Sequence, residues 1–135
     1  MEDLVLYNSR SFCYVLGCIF GHPQMLDLEK EVVLIRNLRN MTRLLDALYE
    51  NHLEFSDNHS MYGDTTIVVH DSALFNYIKS IRHDSWCDYP PIIKMYDTAH
   101  KLDFLEGLED DKYPKKRVAE LKMKLLMQFP EMLDH

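Results

Sequence analysis

The stretch 24–50 constrains this chain most. Leu34, Leu38, Met41, Leu45 and Leu48 recur at intervals of four, three, four and three, the spacing that lines one face of a helix. Pro23 suits a first helical position, where a missing N–H costs nothing, and Gly21 closes whatever precedes it. Asp27, Glu29 and Glu31 crowd the early turns, where negative charge meets the positive end of the helix dipole. The spacing predicts one long amphipathic helix over 24–50, with shorter pieces packed around it. Val32, Val33 and Ile35 widen its apolar arc, and a wide arc suits a globular core better than a narrow dimer seam.

Arg36, Arg39 and Arg43 fall on the opposite face of that predicted helix, at spacings of three and four. They form a short basic stripe on an otherwise acidic chain. A guanidinium fork grips carboxylates and phosphates in a bidentate way, so the stripe is a candidate docking site. The competing reading is a solvated helix face with loose ion pairs, which usually contribute little.

The other elements follow in order. The run 12–20 is apolar all round. Possible caps at Asn8, Ser9 and Ser11, with Gly21 after it, favour a helix over a buried strand. Gly17 argues against it, at about 1 kcal/mol relative to Ala in a helix interior. His52 to Phe55 and the β-prone run TTIVVH at 65–70 predict a hairpin across a polar loop. Asp71 or Ser72 caps a helix to about Arg82. Pro91 starts another, with Ile92, Met95, Ala99, Leu102 and Leu105 as its stripe, and 107–113 reads as an acidic turn. Pro114 opens a last helix lined by Val118, Leu121, Leu125 and Phe129 and stopped by Pro130. The predicted class is mainly α, or α+β with a minor β-hairpin: a compact bundle of about five helices around one long central helix. At 135 residues the chain reads as one globular domain, 1–135.

No strand alternates with helices in a βαβ rhythm and no glycine-rich phosphate loop is present, which disfavours doubly wound nucleotide-binding folds. The formal net charge of −7 argues against direct nucleic-acid binding, which needs a basic footprint. Glu2 and Asp3 give the chain an acidic start, unlike a signal peptide, and 12–20 is too short to span a bilayer. Cys13, Cys18 and Cys87 are odd in number and lack a framework spacing, so free thiols in the cytoplasm are expected.

Seven histidines invite a metal hypothesis. His70-Asp71 and His83-Asp84 are two His-Asp pairs. With His52 or His59 before them and Asp97 or Asp103 after, they outline a metal-dependent phosphohydrolase-like site, since imidazole and carboxylate suit divalent metals. Against it, no spacing reproduces a tight ligand motif. No Gly-x-Ser-x-Gly elbow occurs, and Cys13 and Cys18 lie in an apolar run where thiols are usually inert. No cofactor is expected.

The loop 83–91 is the stronger functional candidate. Asp84, Trp86, Asp88 and Tyr89 stand beside two prolines, and aromatics on a restricted backbone make good binding hot spots. The competing reading folds Trp86 and Tyr89 back onto the core. The stretch 15–25 is similar to the start of the helicase-interacting region of bacterial primases, an apolar helix ending at a proline turn. It covers about a dozen residues of generic type, and TTIVVH does not fit that all-helical module, so no assignment rests on it.

The expected function is a non-catalytic protein-binding module: an inhibitor, immunity protein or regulatory adaptor. Its acidic charge suits a basic partner such as a nuclease or a nucleic-acid-binding factor. A helical subunit of a larger assembly, such as a replication complex, is the remaining alternative.

Overall fold

The stretch predicted as one long helix folds as two strands and a shorter helix. The computed structural model describes residues 9–21, 26–36, 39–59, 65–81, 90–110 and 116–134. Within 24–50 it places strand β1 at Leu26–Asp27, strand β2 at Val32–Arg36 and helix α2 at Met41–Glu50. Asp27 causes the first break. Its carboxylate accepts the backbone N–H of Glu29 and of Lys30, both at 3.1 Å, and the chain reverses there. Glu31 completes the reversal in a left-handed conformation, at φ 57°. The β-branched Val32, Val33 and Ile35 then favour a strand. Asn40 causes the second break, its side chain accepting from Arg43 N at 3.1 Å as the N-cap of α2.

The remaining order is α1 at Arg10–Phe20 before these elements, then β3 at Phe55–His59, β4 at Thr65–Val69 and α3 at Ser72–Ile81. A 3-10 turn at Pro91–Met95 leads to α4 at Thr98–Glu109, α5 at Lys116–Gln128 and a final 3-10 turn at Pro130–Asp134. The molecule is thus mostly helical with a small four-stranded antiparallel sheet, in the order β1-β2-β4-β3. The second strand of the predicted hairpin is β4, but the first is Phe55–His59 rather than 52–55: His52, left-handed at φ 56°, still belongs to the turn that ends α2, and the polar residues 56–59, predicted as loop, pair with β4, whose other side is paired by β2.

The central element is α1 rather than 24–50. Every residue from Phe12 to Phe20 is buried. Ser9 caps it by accepting from Phe12 N, and also donates to Asn51 at 2.7 Å, tying its start to the end of α2. In α2 the core is met by Leu44, Ala47 and Leu48, while Met41 and Leu45 of the predicted seam are only half-buried.

The sheet shows period-two alternation. Val33, Ile35, Ile67 and Val69 point into the core, where α1 and α3 cover β2. Leu34, Arg36, Thr66 and Val68 share the opposite, open face. Two smaller corrections follow. The helix predicted from Pro91 is a 3-10 turn, and α4 starts anew at the cap Asp97, which leaves Met95 exposed. Gly107, predicted to open a turn, lies inside α4. No helix among the described residues is long and apolar enough to cross a membrane.

Candidate interaction surface

The three arginines do not form a stripe. Arg36 ends β2 on the open sheet face, Arg39 precedes α2 and donates its backbone N–H to Asp110 O at 3.1 Å, and Arg43 lies in the first turn of α2. With β2 a strand, the helical spacing that joined them does not exist. Asp84, Trp86, Asp88 and Tyr89 lie outside the described residues.

The His-Asp pair at 70–71 is divided between two tasks. His70 Nε2 is 3.0 Å from Ser56 Oγ across the sheet, while Asp71 caps α3 by accepting from Leu74 N at 2.9 Å. Asp97 caps α4 and holds His100. Asp103 is committed to arginine. His83 and Asp84 lie outside the described residues. Among the described residues, no three His, Cys, Asp or Glu side chains are placed to hold a metal ion.

Arg43 instead joins a polar network across α1, α2 and α4. Its Nη2 donates to Glu106 at 2.7 Å and lies 3.6 Å from Asp103, and its guanidinium sits 3.9 Å above the Tyr14 ring. Arg10 Nε donates to Asp103 at 2.6 Å. Asp103 is only 6% exposed, so the arginines supply the counter-charge that a buried carboxylate needs. Below Arg43, Tyr14 donates its hydroxyl to Asp110. Burial, then the nearby Cys18 and Asp110, push the Tyr14 phenol far above its ordinary range, so it stays a donor.

This network floors a cleft of about 610 Å³ whose outer wall is α2, through Asn40, Thr42, Asp46 and Glu50. Asp46 and Glu50 are also the first of four exposed acids met in succession along the chain, here called the acidic ridge, with Glu54 and, on β3, Asp57. Between Arg43 and Lys79 the chain contains no lysine or arginine and six acids. Within that ridge stands Tyr49, 69% exposed, its ring meeting Phe55 edge-on at a centroid distance of 5.3 Å. The absence of basic residues over this stretch was readable in the sequence. Its placement beside an exposed aromatic was not, because Tyr49 reads as one more helical residue until the chain reverses at Asn51.

A second concavity, of about 410 Å³, is the open sheet face. Leu34 and Val68 form its half-buried apolar centre, with Arg36, Ser56, Asn58 and His70 around them. The sheet face is lined by both signs of charge, Asp27 with Lys30 and Arg36, whereas no lysine or arginine stands among the ridge acids along the chain. Comparison with known protein families, with curated proteins and with solved structures finds no match to this chain.

Proposed function

We propose that the protein is a non-catalytic, cytoplasmic protein-binding module, an inhibitor or regulatory adaptor, whose acidic ridge receives a basic segment of its partner. One observation carries this reading: the stretch 44–78 has no lysine or arginine, and it holds the exposed acids Asp46, Glu50, Glu54 and Asp57 together with the exposed Tyr49. Acids spaced within a Debye length of about 8–10 Å act together on an approaching cation, which raises association rates and rejects acidic competitors. Tyrosine adds rigid, partly apolar contact area, as hot-spot residues do. The loop holding Asp84, Trp86, Asp88 and Tyr89 is a second contact in this reading. The free thiols Cys13 and Cys18 suit a reducing compartment.

The test is native mass spectrometry of the protein isolated gently from its own source, followed by binding of the identified partner to variants. Glu50→Lys with Glu54→Lys should weaken binding at least about tenfold and flatten its salt dependence, and Tyr49→Ala should raise the dissociation rate. A partner held equally well by the charge-reversed protein would overturn the acidic-ridge reading.

A further inference from the structure

Among the described residues the sheet ends at β3, and that edge faces solvent: Glu54, Ser56, Asp57 and Asn58 are exposed and Phe55 is half-buried. One hydrogen bond fixes the phase of its backbone. His70 N donates to Glu54 O at 2.8 Å, so Glu54 and His70 form a hydrogen-bonded pair. Such pairs alternate along an antiparallel ladder. With Phe55 opposite Val69 and Ser56 opposite Val68, the N–H and C=O groups of Glu54, Ser56 and Asn58 face β4. Those of Phe55, Asp57 and His59 face outward, away from β4. Outward-facing backbone groups on an edge strand are a template for one more extended chain.

The side chains set what that chain must carry. By register Phe55 shares the helix-covered face with Ile67 and Val69, and it meets the exposed Tyr49 there. Glu54 falls on the open face, opposite His70. Among the described residues, no ion pair or side-chain hydrogen bond engages Glu50 or Glu54. Their charge is therefore left for a cation from outside the chain.

We propose that the basic segment of the partner binds in extended form, as a further strand on the outer edge of β3. This rests on the reading of the acidic ridge as its receiver and adds how the segment is held. Its backbone bonds to the outward groups of Phe55 and His59. Residues directly opposite one another on paired strands lie about 5 Å apart on the same face. A lysine or arginine of the segment thus stands opposite Glu54, and the apolar residue beside it stands opposite Phe55 and widens the Tyr49–Phe55 contact. A second copy of this chain fits less well. Paired antiparallel with itself about its centre, β3 sets Asp57 opposite Asp57, and like charges directly opposite destabilise a ladder. An acidic strand meets the same repulsion, with no lysine or arginine over 44–78 to relieve it.

The probe is a pair of displayed peptide pools of about ten residues, enough to span β3 with some to spare at each end. Charged positions are restricted to Lys and Arg in one pool and to Asp and Glu in the other. Selection on the full chain should enrich the basic pool, with an apolar residue beside a cation. Glu54→Lys should weaken the enriched peptides at least about tenfold. Glu54 is exposed, so this variant should keep the wild-type urea midpoint. N-methylation of an enriched peptide should abolish binding at alternate residues and spare those between, because only every second amide of an added strand faces β3. In the complex, amide hydrogen exchange should slow most at Phe55 and His59, and less at Ser56, which β4 already protects. Peptides that respond to Glu54→Lys but tolerate N-methylation in either phase would overturn the added strand and leave the acidic-ridge reading standing. A basic pool with no binder weakened by Glu54→Lys would overturn both. A homodimer in native mass spectrometry that protects the Phe55 and His59 amides would give the edge to a second copy, and the proposal would fail.

Discussion

Gly17 of α1 and Gly107 of α4 face one another where the two helices cross. A Cβ on Gly17 would overlap the Phe104 carbonyl oxygen and lie 2.7 Å from Leu108 N. A Cβ on Gly107 would overlap the Tyr14 carbonyl oxygen and lie 2.9 Å from Cys18 N. All four obstacles are backbone atoms, so no rotamer change relieves them. The helices are therefore in backbone contact, and each glycine's conformational cost in a helix is offset by that close approach.

It follows that Gly17→Ala and Gly107→Ala should each destabilise the protein by about 2 kcal/mol or more, the scale of overpacking a filled core, despite alanine's better helix propensity. Urea unfolding measures this. In the double variant the second substitution should cost less than the first, because the helices have already separated. Stabilisation by either single change would mean that α1 and α4 stand further apart.

Substitutions along β2 separate the strand from the helix that spacing predicts. Ile35 is fully buried, while its neighbour Leu34 lies half-buried on the open face. Ile35→Thr should cost about 2–3 kcal/mol, from lost burial and a hydroxyl placed in the core. Leu34→Thr should stay within about 1 kcal/mol, because threonine suits an open strand face. Equal costs at both positions would contradict the alternation.

The same residues show what the sequence made legible. Helices α1, α3 and α5 and strand β4 were readable because caps, prolines or β-branched runs agreed with the hydrophobic period, whereas β3 is a polar stretch without β-branched residues and read as loop. Over 24–50 those signals conflicted. Asp27 serves equally as a first-turn acid and as a turn-forming side chain, and only tertiary pairing of β2 with β4 decides between them. The leucine spacing then spanned two elements by coincidence, which also produced the arginine stripe. Gly107 was misread because a glycine that ends a helix and one that lets two helices touch look alike in one dimension. The acidic ridge needed only a count of lysines and arginines, but Tyr49 beside Phe55 required the fold.

Asp103 should carry more stability than either arginine that holds it. Its removal leaves two cations without their shared counter-ion at the floor of the cleft, yet Arg10 and Arg43 are respectively 64% and 40% exposed in their side chains. Water therefore recovers part of the loss, and Asp103→Ala should cost about 1–2 kcal/mol rather than the larger penalty of a fully buried pair. Arg10→Ala should cost less than Asp103→Ala, since Arg43 still faces the carboxylate. Chemical denaturation of the two variants in low and high salt orders them, and the reverse order would assign Asp103 a peripheral role.

Alkaline pH should unfold this protein earlier than its carboxylates suggest. Burial pushes the Cys13 thiol up from an ordinary 9.0 to about 12, a rise that a hydrogen bond with Tyr96 partly offsets. Burial likewise raises Cys18 and the phenols of Tyr14, Tyr77 and Tyr96. Each of these acids is neutral in the fold over a range where the unfolded chain has released its proton. The unfolded state then binds fewer protons, so stability is intact below about pH 9 and falls as pH rises from there towards 12, by about 1.4 kcal/mol per unit for each such proton. Urea midpoints measured from pH 7 to pH 11 should stay level and then drop steeply. Cys13→Ala removes one of the titrating groups, so it should lower the midpoint at pH 7 through the cavity it leaves but flatten the alkaline fall. In a Cys87→Ser background, neither remaining thiol should react with a disulfide reagent at pH 8 until urea opens the core. Prompt reaction in the native protein, or an alkaline slope untouched by Cys13→Ala, would place that thiol in contact with solvent.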